Sequence, residues 1–277
     1  MTYKTILVHL DHRPRSNERL ALAGALAEQF DAHLVGLFAP GTARLPSYAL
    51  AEGGPVLREL LDKRRAEVLR EAESHFRKFA QRNGGERAEW RASEADPAAA
   101  MRLSARYADL IVAGQPEAED EGELRGLADE LTLSAGRPVL FVPYAGRFAK
   151  LGMRVLVAWD GGREAARAVS DALPFLQRAE AVEVVVFDPE RTLRKHGEQP
   201  GADIGLYLAR HGVKVAVARQ SGAGYSIGSQ ILSRAADTSA DLIVMGGYGH
   251  ARVRELMLGG VTRTMMESMT VPVLMSH

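Results

Sequence analysis

The sequence predicts an α/β protein built as two tandem copies of one domain, each a five-stranded parallel sheet flanked by helices. Three observations predict it. The first is self-similarity: YKTILVHLD (3–11) matches GMRVLVAWD (152–160), and AHLVGLFAP (32–40) matches AVEVVVFDP (181–189). Further along, YADLIVAG (107–114) matches SADLIVMGG (239–247), and RPVLFVP (137–143) matches VPVLMSH (271–277), so the units recur in the same order. The second is that the apolar runs are short and nearly unbroken (ILV, VVV, LIV), as in strands covered on both faces. The third is that helical patterns separate them, which implies parallel βα units with right-handed crossovers. The join falls near Ala145–Leu151, giving domains at 1–146 and 151–277.

In chain order, the strand ending at Asp11 leads into a helical pattern over Ser16–Gln29, and the second strand closes on Pro40. The segment GTARLPSYALAEGGP (41–55) has no counterpart in the second copy. Its small residues and prolines predict a surface loop, a plain excursion fitting better than a lid. An amphipathic helix follows, with Leu57, Leu60, Leu61, Val68 and Leu69 at helical spacing. In the second copy the strand ending at Asp160 leads into a helical pattern over Glu164–Gln177. SGAGYSIG (221–228) reads as a flexible turn between the third strand and the next helix, and VTRTMMESM as the last helix.

Composition narrows the function. With 277 residues, 46% of them hydrophobic, the chain can fill two cores, and 25% charged residues with a net charge of zero argue against a generic polyanion binder. Nucleic acid and anionic membranes are therefore not expected partners. No cysteine is present, which excludes disulfides, thiol chemistry and thiolate metal sites. The start, MTYKTILVHLD, enters a strand directly, and no apolar run approaches the ~18 residues of a membrane span. A cytoplasmic protein is expected. The eight histidines show no H-x3-H or HExxH spacing, and no G-x-S-x-G elbow or paired-carboxylate motif occurs, so no metal site and no catalytic residue are assigned.

The chemistry concentrates in DLIVMGGYGHARVRELMLGGVT (241–262). After the strand come Gly246 and Gly249, then Gly259 and Gly260, a G-x2-G-x9-G-G spacing that ends where a helix begins. Glycines there let backbone approach a ligand, and amides at a helix start carry partial positive charge, which suits phosphate. The pattern is neither a Walker A loop nor G-x-G-x-x-G. It resembles the nucleotide-binding loop of the universal stress protein family, G-x2-G-x9-G-[ST] after the fourth strand. VLVAWDGGREAARAV (155–169) is similar to that family's first strand, its Asp and the following helix, and VPVLMS (271–276) to its fifth strand. One position departs: Gly260 stands where the family has Ser or Thr, which removes a hydroxyl contact to phosphate.

The resemblance implies tandem Rossmann-like domains of the adenine nucleotide alpha hydrolase-like fold. It implies an adenine nucleotide, ATP, as ligand, with Mg2+ as an accompanying ion. The residues carried over are Ala158, Trp159 and Asp160 at the first strand's end, Val186 along the adenine, and Gly246, Gly249, Gly259, Gly260, Val261 and Thr262 at the phosphates. Four of them also have an ordinary structural role: Asp160 as a helix cap, Val186 as a core valine, Val261 and Thr262 as a first helical turn. His250, Arg252 and Arg254 lie in the spacer, where cations are more often solvated. In the first copy Glu117 takes the place of Gly249, within an acidic run that includes Glu119, Asp120, Glu121 and Glu123. Such a run repels a triphosphate, so the first domain is expected to be degenerate and Asp11 to serve as a helix cap.

The leading expectation is a stress-response protein that binds ATP in its second domain and regulates rather than metabolises, with at most slow hydrolysis. The alternative is a stress-response interaction protein that binds no nucleotide. An enzyme on the same sheet is a third class, without a catalytic pair near Asp160 to support it. The resemblance also implies pairing of the two fifth strands within the chain, an internal pseudo-dimer, with further association as a homodimer left open.

Overall fold

The structure is a computed structural model. It describes residues 2–40, 47–83, 85–117, 126–148, 150–191, 199–222, 224–249 and 260–277, and in helix 47–82 the side chains of 47–56 and 58 are outside the description. Among the described residues, ten strands form one sheet in the order β3-β2-β1-β4-β5-β10-β9-β6-β7-β8. The first half contributes β1 (Thr5–Leu10), α1 (Arg15–Phe30), β2 (His33–Phe38), α2 (Ser47–Arg82), β3 (Ala88–Ala92), α3 (Pro97–Ala105), β4 (Leu110–Gly114), α4 (Leu127–Ser134) and β5 (Val139–Val142). The second contributes β6 (Arg154–Ala158), α5 (Arg163–Leu176), β7 (Ala181–Phe187), α6 (Ala202–Arg210), β8 (Val215–Gln220), α7 (Ile227–Asp237), β9 (Leu242–Gly246), α8 (Gly260–Ser268) and β10 (Val273–Ser276).

Within each half all neighbouring strands are parallel. The halves meet where β5 and β10 run antiparallel, Val273 opposite Phe141, Leu274 opposite Leu140 and Met275 opposite Val139. All six side chains are fully buried. The two apolar fifth strands therefore cover each other's edge inside one chain.

Alternation along the strands builds a core on each face. Ile6, Val8 and Leu10 point to the layer holding α1, α5, α6 and the end of α2, where Phe76 is buried. Leu7 points to the layer of α3, α4, α7 and α8. Both cores run across the β5–β10 seam, and Tyr3, Phe30 and Phe175 pack their rings 5.0–5.5 Å apart at the boundary on the first face. The aspartate of each DLIV run pins the start of its neighbour strand. Asp109 accepts the amides of Lys4 and Thr5, and Asp241 those of Gly152, Met153 and Arg154.

The segment at 41–55 departs from the expected loop. Residues 41–46 lie outside the described residues, but α2 starts at Ser47, so the rest is helical, Gly53, Gly54 and Pro55 included. The apolar side chains of the helix that follows do not all face inward either. Val68 and Leu69 pack on the core, whereas Leu60 is 62% and Leu61 39% exposed. The expected spacing was sound for a helix, and among the described side chains Val68, Leu69 and Phe76 meet the core while Leu60 and Leu61 do not.

Candidate functional site

Order reverses between β1 and β4 in the first half and between β6 and β9 in the second. At such a switch point chain connections leave in opposite directions, and the crevice that this makes beyond the strand ends is the usual ligand position in such sheets. Ala158 ends β6 beside Met245 of β9, and Trp159 donates its amide to Val185 of β7. Asp160 follows at the mouth.

In the second half the glycines have measurable reasons. A Cβ on Gly246 would sit 2.6 Å from the Ala165 amide nitrogen and 2.7 Å from the Glu164 carbonyl carbon, so only glycine lets the start of α5 lie against β9. A Cβ on Gly249 would lie 3.2 Å from Glu164 Oε2 and 3.8 Å from Asp160 Oδ2. Gly249 thus faces two carboxylates. Gly260 is exposed, opens α8, and among the described residues a Cβ there would meet nothing within 4 Å. Gly259, His250, Arg252 and Arg254 lie outside the described residues, as do Glu119, Asp120, Glu121 and Glu123.

Asp160 is half-buried, and its Oδ1 accepts the Gly162 amide at 2.8 Å. The N-cap of α5 is Gly162 itself, without a side-chain cap, so Asp160 shapes the turn before the helix and is not its cap. Glu164, in the first turn of α5, is buried and paired with exposed Arg163. Burial works against its charge, but Arg163, its own backbone amide and His277 together hold the carboxyl below the usual range. The two carboxylates therefore present acceptor oxygens of the kind that take hydroxyl donors.

Val186 is fully buried, and a Cβ on Gly201 at the start of α6 would come within 3.2 Å of it. Val261 is partly buried on the α7–α8 side of the sheet. Thr262 is buried with its Oγ1 accepting the Tyr248 amide at 3.3 Å, which turns the hydroxyl toward the loop's own backbone.

The first half fills the corresponding space with ion pairs. Arg19 stands eight residues after Asp11, as Ala168 stands eight after Asp160. Arg19 Nη2 lies 2.7 Å from Asp11 Oδ2, its Nε donates to the His9 carbonyl, and a Cβ on Gly114 would fall 2.6 Å from Nη1. At the mouth, Arg13 lies 3.6 Å from Glu117. Asp11 also accepts the Arg13 amide, while the N-cap of α1 is Pro14, without a side-chain cap. Asp11 is thus the buried partner of Arg19 and not the expected helix cap.

Three contributors escaped the motif: Arg19, Glu164 and the Tyr248–Asp129 contact described below. The Arg19–Ala168 exchange was available in the sequence, by carrying the repeat alignment into the helix after each aspartate. Among the described residues no group of three or more His, Asp or Glu side chains is placed to hold a metal, and no helix is long and apolar enough to cross a membrane.

Two solved structures that span nearly the whole chain share this architecture. Over 98% of this chain and 97% of its own, a universal stress protein from Archaeoglobus fulgidus DSM 4304 is 19% identical with a TM-score of 0.71. A functionally unknown protein from Pseudomonas aeruginosa PAO1 is 14% identical over 99% of this chain and 92% of its own, with a TM-score of 0.56. A universal stress protein solved in complex with cAMP is 25% identical over 51% of this chain and 98% of its own, with a TM-score of 0.35. No curated protein matches the chain. The model of the universal stress protein family matches residues 153–277, and the chain carries a universal stress protein family domain over that stretch.

Proposed function

We propose that the chain is a stress-response regulator that binds one adenine nucleotide, ATP, at the β6–β9 crevice of its second half. One observation carries this reading. The strand-end aspartate of the first half is buried against Arg19, whereas Asp160, in the same place, is half-exposed at the strand ends beside Gly249. The glycines at 246 and 249 bring backbone to the same place, and α8 opens close by with its first amides. Asp160 and Glu164 suit the sugar, and the helix start suits the phosphates. A cation escorting ATP would rest mainly on the phosphates themselves, so Mg2+ forms no part of the reading. Turnover forms none either.

A specific observation favours the second reading, an interaction protein that binds no nucleotide. Glu164 places a buried, ionised carboxylate 3.2 Å from where a Gly249 side chain would start, and like charge repels phosphate. Mass spectrometry of the denatured protein tests for carried nucleotide, and titration with ATP, AMP and adenosine ranks the ligands. ATP binding by the wild type supports the first reading. No binding by the wild type or by Glu164→Gln overturns the first reading and favours the second.

A further inference from the structure

The glycine segment of the second half is held by the first half. Tyr248, between Gly247 and Gly249, has φ 56°, a left-handed backbone that costs a bulky residue energy unless its surroundings enforce it. Its hydroxyl crosses the seam and donates to Asp129 Oδ1 in the first turn of α4. Burial, then this bond, then the Asp129 charge push the Tyr248 hydroxyl well above its ordinary range, so it stays a donor at neutral pH. The neighbouring glycine is fitted to the same helix. A Cβ on Gly247 would lie 2.5 Å from the Thr132 methyl of α4, and the Gly247 amide donates to Ser276 of β10 at 2.9 Å.

The first half does not repeat this arrangement. There Pro116 takes the place of Tyr248, and Gln115 takes that of Gly247, reaching the Met266 carbonyl of α8 at 2.9 Å. The strained tyrosine and its carboxylate anchor exist only on the side of the glycine loop.

We propose that Asp129 of the first half is a positioning residue for the nucleotide loop of the second, acting through Tyr248. The hydroxyl–carboxylate bond fixes the backbone of 246–249 in the form that meets ligand, and the first half serves as the loop's buttress. This rests on the nucleotide reading above. A charge-assisted bond of this kind is among the stronger ones, and its loss lets the left-handed residue relax.

Amide hydrogen exchange of the full chain without ligand tests the brace directly, and calorimetry with ATP and adenosine tests its consequence. Tyr248→Phe and Asp129→Ala should each speed exchange over 246–249 by roughly tenfold, and weaken ATP by roughly tenfold with a smaller effect on adenosine. Asp129→Asn keeps a neutral carbonyl acceptor without the charge, and should fall between the wild type and Asp129→Ala in both measurements. Tyr248→Phe removes one oxygen and leaves the packing, so it decides the matter should Asp129→Ala fold poorly. Unchanged exchange in Tyr248→Phe overturns the proposal, as does quickened exchange with ATP affinity intact. Quickened exchange in a protein whose wild type binds no ATP sustains the brace and overturns the nucleotide reading instead.

Discussion

Arg19 and Asp11 form an ion pair 2.7 Å long whose side chains are only 5% and 6% exposed, and the second half has alanine where this arginine stands. Two carboxylates at equivalent strand ends thus do different work. Asp11 is part of the interior, and Asp160 faces the crevice.

Exchanging each aspartate for asparagine should separate the two roles. Asp11→Asn strands a buried guanidinium and should cost about 3–5 kcal/mol of stability, with nucleotide binding unchanged. Asp160→Asn still accepts the Gly162 amide and is only half-buried, so the melting temperature should fall far less than for Asp11→Asn while ATP and adenosine both weaken about tenfold, the loss of a hydrogen bond to a charged group. Thermal melts and calorimetry on both variants check this.

Acid sensitivity follows from the same pair. Burial raises the Asp11 carboxyl, but Arg19, with His9 and the Arg13 amide, more than reverses this and leaves it below its ordinary value. A lowered folded value means the stabilisation is complete above the unfolded value of about 3.9 and is lost as pH falls through the folded one. Asp11→Asn should therefore be less stable at neutral pH but show a shallower loss below about pH 4. Denaturant midpoints from pH 7 to pH 2 measure it, and parallel acid limbs would contradict it.

Glycine positions in the loop should differ in kind. Gly246→Ala meets backbone at 2.6 Å, which cannot swing away, and should cost about 1–3 kcal/mol as an overpacked site does. Gly249→Val meets carboxylate oxygens at 3.2 Å and beyond, so the fold should survive while ATP binding is abolished. Gly260→Ser meets no atom of the described residues within 4 Å and no left-handed backbone to oppose it. It should tighten ATP about tenfold by adding a hydroxyl bond to phosphate, with adenosine unmoved. An equal gain for both ligands would show that α8 does not meet the phosphates.

The seam between β5 and β10 predicts the behaviour of the halves. Separated between Gly146 and Lys150, each exposes a fully buried apolar edge strand and should self-associate or aggregate in light scattering. Two monomeric halves would show that the antiparallel pairing contributes little.

Much of the fold was legible because it was written twice. The recurrent DLIV runs and strand-end aspartates mark β1, β4, β6 and β9, and their alternation marks the two cores. The insertion was misread because Gly53, Gly54 and Pro55 signal a turn locally, whereas the helix from Ser47 carries through them. The site was legible as glycines, whose spacing reports where backbone must come close. Its electrostatics were not. Whether Asp11 is a cap or an ion-pair partner depends on where Arg19 reaches, and the Tyr248–Asp129 contact joins residues 119 apart in the chain.

The stoichiometry of ATP binding by the intact chain, measured by calorimetry, tests the central claim most directly. The account predicts about one nucleotide per chain, unchanged in Asp11→Asn and weakened in Asp160→Asn. Two equivalent sites, or a single site abolished by Asp11→Asn and untouched by Asp160→Asn, would contradict it.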